Sequence, residues 1–139
     1  NSITVFLISI LFTVNAFSKT LNKIEVSGNE RISDETIKLF ISVNINDDID
    51  DNKLNKILKD LYETNFFKDV SVKFFEQILS INVEENPIIE NIFYNGVKSN
   101  RILELIKKDT TIKSRNSYNE NIIKKEKLKI ENILQNLGY

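Results

Sequence analysis

Residues 70–84, VSVKFFEQILSINVE, decide the fold of this chain, because they contain two alternating runs separated by a short polar pair. In each run apolar residues occupy every second position, which is the period of a strand with one buried face. Glu76-Gln77 has the length and polarity of a turn that joins two hairpin strands. The sequence therefore predicts a β-hairpin.

The residues before this hairpin predict one more strand and two helices. Residues 22–27 alternate and end at Gly28, which we interpret as a turn glycine. Ser33 is a good N-cap for a short helix, and a second helix should end near Thr64-Asn65. That second helix is predicted from apolar residues at helical spacing, namely Leu54, Ile57, Leu58, Leu61 and Tyr62. The order β-α-α-β-β over residues 19–87 predicts an α+β domain whose sheet has one helix-covered face.

The pattern then restarts after Asn86-Pro87, which predicts a tandem repeat. Ile92–Gly96 (IFYNG) aligns with Ile24–Gly28 (IEVSG), so Gly96 is a second turn glycine and residues 88–95 should form a strand. Helices should follow Ser99 or Asn100 and begin again near Asn119. The end of the last helix aligns with residues 61–66 at a larger offset, which we attribute to a longer linker at 108–118. We expect a second domain at 88–139 that is incomplete, because it stops before its hairpin.

Composition excludes several classes of function. The 139 residues include no His, Cys or Met, which excludes His- and Cys-based catalysis and His- or Cys-ligated zinc. The net charge of −1 argues against nucleic-acid binding. The acidic run 47–51 lacks the layout of a calcium loop, and Glu84-Glu85 point to opposite strand faces. No cofactor, metal or catalytic site is expected, and residues 124–127 (KKEK) predict a solvated helix face.

Residues 1–18 are uncharged, and residues 3–14 form a continuous apolar and hydroxyl run. Small residues at 16 and 18 match the pattern that signal peptidase recognises. We predict a signal peptide whose start is missing, with cleavage between Ser18 and Lys19. A truncated membrane anchor is the alternative, and both place the rest of the chain outside the cytoplasm.

These features together resemble the polypeptide-transport-associated (POTRA) domain, and more closely the start of BamA-type outer-membrane protein assembly factors. The resemblance depends on residues 24–32 (IEVSGNERI), 61–72 (LYETNFFKDVSV), 83–89 (VEENPII), 92–96 and 138–139. One departure is Asn65, where the family usually has glycine, and asparagine tolerates the left-handed conformation expected there.

The resemblance implies tandem POTRA domains, each a three-stranded mixed sheet covered on one face by two helices, in the periplasm of a Gram-negative bacterium. It also implies a membrane-embedded barrel outside this sequence that inserts other barrel proteins into the outer membrane. The implied partners are unfolded outer-membrane β-barrel proteins, accessory assembly lipoproteins and periplasmic chaperones. The alternatives are a two-partner secretion transporter, a translocation-and-assembly paralogue and an FtsQ-like cell-division scaffold.

In this family the second strand lies at a sheet edge, where strand addition can bind many clients. The candidate client-binding strand is Val70, Ser71, Val72, Lys73, Phe74 and Phe75. A plain edge guarded by Lys73 is the alternative. We expect Phe66 to fill the core where helix meets strand, and Phe67 to be partly exposed.

Overall fold

The computed structural model describes residues 19–139, so the predicted signal peptide and its last residue, Ser18, lie outside the described residues. Lys19 is the first described residue, and its carbonyl oxygen accepts a hydrogen bond from the Ile49 N–H at 2.9 Å. The elements in chain order are β1 (Lys23–Ser27), α1 (Asp34–Phe40), α2 (Asp51–Glu63), β2 (Phe67–Phe75), β3 (Ile78–Glu85), α3 (Asn100–Asp109) and α4 (Glu120–Asn136). Of the helices in this described part, none has the length and apolar character needed to cross a membrane.

The first repeat forms a three-stranded mixed sheet with the order β1-β3-β2. The central strand β3 runs parallel to β1 and antiparallel to β2. Glu76 and Gln77 have φ angles of 48° and 66°, the left-handed pair that a type I′ hairpin turn requires. The predicted hairpin and the predicted α+β fold are confirmed.

The core of the first repeat lies between one face of this sheet and helices α1 and α2. Alternation places Leu79, Ile81 and Val83 of β3 on the inner face, where each is at most 3% exposed. Ile57 and Leu61 of α2 are equally buried against them, and Leu54 and Leu58 pack beside them, partly buried. Tyr62, the fifth residue of the predicted apolar stripe, is 40% exposed. The other buried apolar residues are Leu21, Ile37, Ile41, Val43, Ile49, Phe67 and Val70.

Polar side chains cap the N-terminal ends of both helices in this repeat. The Ser33 hydroxyl accepts from the Thr36 N–H at 3.3 Å, as its predicted role as an N-cap requires. Asp50 accepts from the Lys53 N–H at 2.8 Å, so part of the acidic run caps α2. Helix α2 ends before Asn65, whose φ of 60° is the left-handed conformation predicted there.

The predicted roles of the two neighbouring phenylalanines were wrong, because Phe67 is 2% exposed and Phe66 is 38% exposed. The reason is a β-bulge. The register pairs Phe67 with Glu85 and Asp69 with Glu84, so β2 carries one residue more than β3 at this point. That extra residue reverses which side chains face inward, and Phe67 turns into the core while Phe66 packs on Phe40 at its margin.

The burial of Phe67 rather than Phe66 can be tested by substituting each residue in turn. Phe67→Leu should lower the free energy of unfolding by about 1 kcal/mol, because a packed core site loses volume and shape complementarity. Phe66→Leu should change it by less than half as much, because that ring is partly solvated. Urea unfolding followed by circular dichroism measures both, and an equal or larger loss for Phe66→Leu would contradict the placement.

The second repeat contains the two predicted helices, capped by Ser99 and Asn119. Residues 88–95 were predicted as a strand, and this was wrong, since only Ile88 forms a bridge, to Ser117. A β-strand needs a neighbouring strand to accept and donate its backbone hydrogen bonds. Among residues 19–139 the second repeat has no counterpart of β3 to supply them.

The attribution of the offset between the repeats to a longer linker was also wrong. The connections 41–50 and 110–119 are equally long. Helix α3 has 10 residues where α1 has 7, and α4 has 17 where α2 has 13. The extra length therefore lies in the helices.

Both repeats also share a backbone pairing that the sequence did not reveal. Residues 19–21 pair with 46–49 in the first repeat, and residues 87–89 pair with 115–118 in the second. Each pairing ties the segment at the start of the repeat to the loop between the two helices of that repeat. Equivalent bonds run from Leu21 N–H to Asp47 O (2.8 Å) and from Ile89 N–H to Asn116 O (2.9 Å).

Candidate binding edge

Strand β2 is an edge strand, bonded to β3 on one side only. Phe75 and Ile78 flank the two-residue turn, and in such a hairpin the flanking residues form a hydrogen-bonded pair. Alternation then directs the N–H and C=O groups of Ser71 and Lys73 to β3. The same groups of Val72 and Phe74 point away from β3, toward the free edge.

The N-terminal end of this edge is closed by Tyr62. Its hydroxyl accepts from the Val70 N–H at 3.1 Å and donates to a carboxylate oxygen of Asp69 at 3.1 Å. The bulge beside Asp69 also bends the strand there, which is a known way to interrupt an edge. The open part of the edge is therefore short and centred on Val72 and Phe74.

The six predicted residues of the binding strand have different environments. Val70 is buried, and Val72 and Phe74 are half-buried on the helix-covered face. Ser71, Lys73 and Phe75 point to the open face, where Phe75 is 68% exposed. Phe75 is thus an apolar side chain beside the open edge, and the exposed Lys73 is its charged neighbour on that face.

Glu85 holds the end of the sheet that lies away from the hairpin turn, which is the same end that Tyr62 closes, and sequence reasoning missed this contact. One carboxylate oxygen accepts from the backbone N–H groups of Glu30, Arg31 and Ile32, each at 2.9 Å. The other oxygen lies 2.9 Å from Nε of Arg31. Burial raises the pKa of the Glu85 carboxyl, but the three N–H donors and Arg31 outweigh it and lower the pKa below its usual value. The carboxylate therefore ties the end of β3 to the loop between β1 and α1.

Gly28 begins that same loop with a φ of 81°. A Cβ at this position would lie 2.1 Å from the carbonyl oxygen of Val83 in β3, so only glycine fits. Gly96 has the same φ, but a Cβ there would meet nothing within 4 Å. The two turn glycines are alike in backbone conformation and different in packing.

Residues 124–127 were predicted to lie on a solvated helix face, and this was wrong for Glu126, whose carboxylate is buried. Glu126 is 3% exposed and accepts from the N–H and hydroxyl of Thr111 at 3.0 and 2.9 Å. Lys129 lies 2.8 Å away. Burial raises the pKa of Glu126, and Lys129 and Thr111 together lower it below the usual value. This carboxylate fastens α4 to the connection that precedes it.

No group of three or more His, Cys, Asp or Glu side chains within residues 19–139 is arranged to hold a metal ion. The features that the structure brings together are main-chain groups and apolar side chains at a sheet edge. Such an arrangement pairs with extended peptide backbone.

Comparison with known proteins agrees with this geometry. A family model described as POTRA, surface antigen variable number repeat, matches residues 19–86. A solved structure of POTRA1-2 of the periplasmic domain of Omp85 from Anabaena superposes with a TM-score of 0.57 at 14% identity. The match covers 86% of this chain and 81% of that one. Residues 19–86 form a POTRA domain.

Three relatives carry the name outer membrane protein assembly factor BamA. The protein of Neorickettsia risticii is 31% identical over 82 residues, which are 59% of this chain and 11% of the relative. That of Neisseria meningitidis is 33% identical over 79 residues, 57% and 10% of the two chains. That of Buchnera aphidicola is 26% identical over 122 residues, 86% and 20%. The chain is similar to these BamA proteins, and it spans between a tenth and a fifth of their length.

Proposed function

We propose that this chain is a periplasmic binding and scaffold region of an outer-membrane β-barrel assembly factor. It binds segments of unfolded barrel proteins as an added strand along β2. The observation that supports this most is the edge at Val72 and Phe74, where main-chain groups face away from the sheet. The names of the BamA relatives supply the class of client.

Strand addition suits a protein with many different clients. Main-chain hydrogen bonds are common to every sequence, so they provide affinity without selecting a particular client. Barrel proteins are made of extended segments that alternate in hydrophobicity. The exposed ring of Phe75 offers apolar contact to one face of such a segment, while Tyr62 limits its length at the other end.

Accessory assembly lipoproteins and periplasmic chaperones are the other partners that we propose. The outer membrane is reached through a barrel that is not in this sequence. The function is binding and positioning, without catalysis or a cofactor. The BamA names favour this assembly role over the secretion-transporter, paralogue and cell-division alternatives.

Replacing one edge donor tests the proposal. Val72→Pro removes an N–H that points away from β3, so it should weaken binding of an unfolded barrel protein at least tenfold while the β2–β3 ladder stays intact. Val72→Ala trims the same side chain but keeps the N–H, and it should bind within about threefold of the unchanged protein. Fluorescence anisotropy with a labelled, urea-diluted barrel protein gives both affinities.

Circular dichroism must show that both variants are folded. If folded Val72→Pro binds as tightly as Val72→Ala, the client does not use this edge, and the reading of β2 as a plain edge guarded by Lys73 is correct.

A further inference from the structure

A groove lies where the two repeats meet, and each repeat contributes one wall. The first repeat contributes Ile32, Ser33 and Phe66, and the second contributes Arg115 and Ser117. The volume of the groove is about 450 Å³, which is in the range of clefts that bind small ligands or short peptide segments.

Hydrogen bonds on both sides of the junction hold the walls in place. The Asn86 N–H donates to the Phe66 carbonyl at 2.8 Å, and Arg31 Nη2 donates to the Asn86 carbonyl at 2.6 Å. Across the junction, the Asn119 side-chain amide donates to that of Asn65 at 3.2 Å. The Arg115 N–H donates to the carbonyl of residue 89 at 2.7 Å, which fixes the loop that carries this arginine.

The groove has an excess of positive charge. Arg31 and Arg115, two of the three arginines of the chain, line it together, and no carboxylate is among its lining residues. Arg31 already pairs with Glu85. Within residues 19–139 the guanidinium of Arg115 makes no hydrogen bond and no ion pair, so all of its donors are available.

We propose that this groove binds an extended segment of a partner protein in which an acidic side chain lies close to an aromatic or aliphatic one. The guanidinium of Arg115 matches a carboxylate in shape and charge and can bind it through two parallel hydrogen bonds. The ring of Phe66, 38% exposed, and the side chain of Ile32 give the neighbouring apolar residue a surface to cover. A phosphate ion would engage the arginines and leave that surface bare, so a peptide fits the groove better.

This site is separate from the β2 edge, because neither Val72 nor Phe74 lines it. It is also composite, since neither repeat alone supplies both the apolar wall and the unpaired arginine. The inference therefore goes beyond the proposed strand addition, and Val72→Pro should leave binding in the groove unchanged.

The test uses a fluorescent heptapeptide, blocked at both ends, with a phenylalanine and an aspartate two positions apart. Fluorescence anisotropy measures its affinity for the purified protein. Arg115→Gln should weaken binding about tenfold, the loss of roughly one charge-assisted pair. Arg101→Gln removes the third arginine, which lies outside the groove on α3, and should change the affinity less than twofold. Replacing the aspartate of the peptide with asparagine should also cost about tenfold.

Three results would overturn the proposal. One is equal binding of the aspartate and asparagine peptides. Another is an equal loss from Arg115→Gln and Arg101→Gln, which would indicate a general charge effect. The third is displacement of the peptide by low-millimolar inorganic phosphate together with no effect of Phe66→Ala, which would leave a simple anion site.

Discussion

Gly28→Ala should destabilise the protein by about 4 kcal/mol or prevent its folding, whereas Gly96→Ala should cost only about 1 kcal/mol. Both glycines have a φ of 81°, so both alanines carry the same penalty for a left-handed backbone. Only at Gly28 does the added Cβ meet backbone, 2.1 Å from the Val83 carbonyl oxygen. Relief of that overlap requires β1 to move away from β3, and this movement breaks the parallel pairing that joins β1 to the sheet.

Urea unfolding of the two variants at neutral pH measures this difference, and Gly96→Ala is the matched control for backbone strain. Similar unfolding midpoints for the two variants would contradict the close approach of the Gly28 turn to the central strand.

Glu85→Gln should lower the free energy of unfolding by about 3 kcal/mol at pH 7, because hydrogen bonds to a buried charge are strong and their loss leaves donors poorly paired. Glutamine keeps the size of the side chain but not the charge that three N–H groups and Arg31 share. Glu84→Gln is the matched control, since Glu84 is the preceding residue and its side chain is 58% exposed in an ion pair with Lys68. We expect that exposed pair to contribute little.

The same contact makes stability depend on pH. The folded-state pKa of Glu85 lies below its usual value of 4.5, so its contribution is complete above that value and is lost as the pH falls through the folded-state pKa. The difference in stability between Glu85→Gln and the unchanged protein should therefore shrink in acid. A difference that is the same at pH 7 and pH 3, or an equal loss from Glu84→Gln, would contradict this account.

The hairpin, the helix caps and the end of α2 were predictable from the sequence because each depends on local chemistry. Alternation over residues 70–84 sets the strand period, and Ser33 satisfies N–H groups within its own helix turn. Asn65 adopts a left-handed φ that its own side chain tolerates.

The remaining features depend on residues that are distant in sequence. The bulge that exchanged Phe66 and Phe67 is set by the pairing of β2 with β3, and alternation alone does not reveal it. Glu85 resembled an ordinary surface acid because its partners are more than 50 residues earlier. Glu126 lies in a lysine-rich run that is typical of a solvated face, and only the position of Thr111 explains its burial.

The open edge of β2 is most directly tested by amide hydrogen exchange, measured by NMR for each residue of β2 with and without an unfolded barrel-protein segment. The N–H groups of Val72 and Phe74 should exchange quickly in the free protein and become protected in the complex. Those of Ser71 and Lys73 should be protected in both states, because they are bonded to β3. Binding that leaves the exchange of Val72 and Phe74 unchanged would contradict strand addition at this edge.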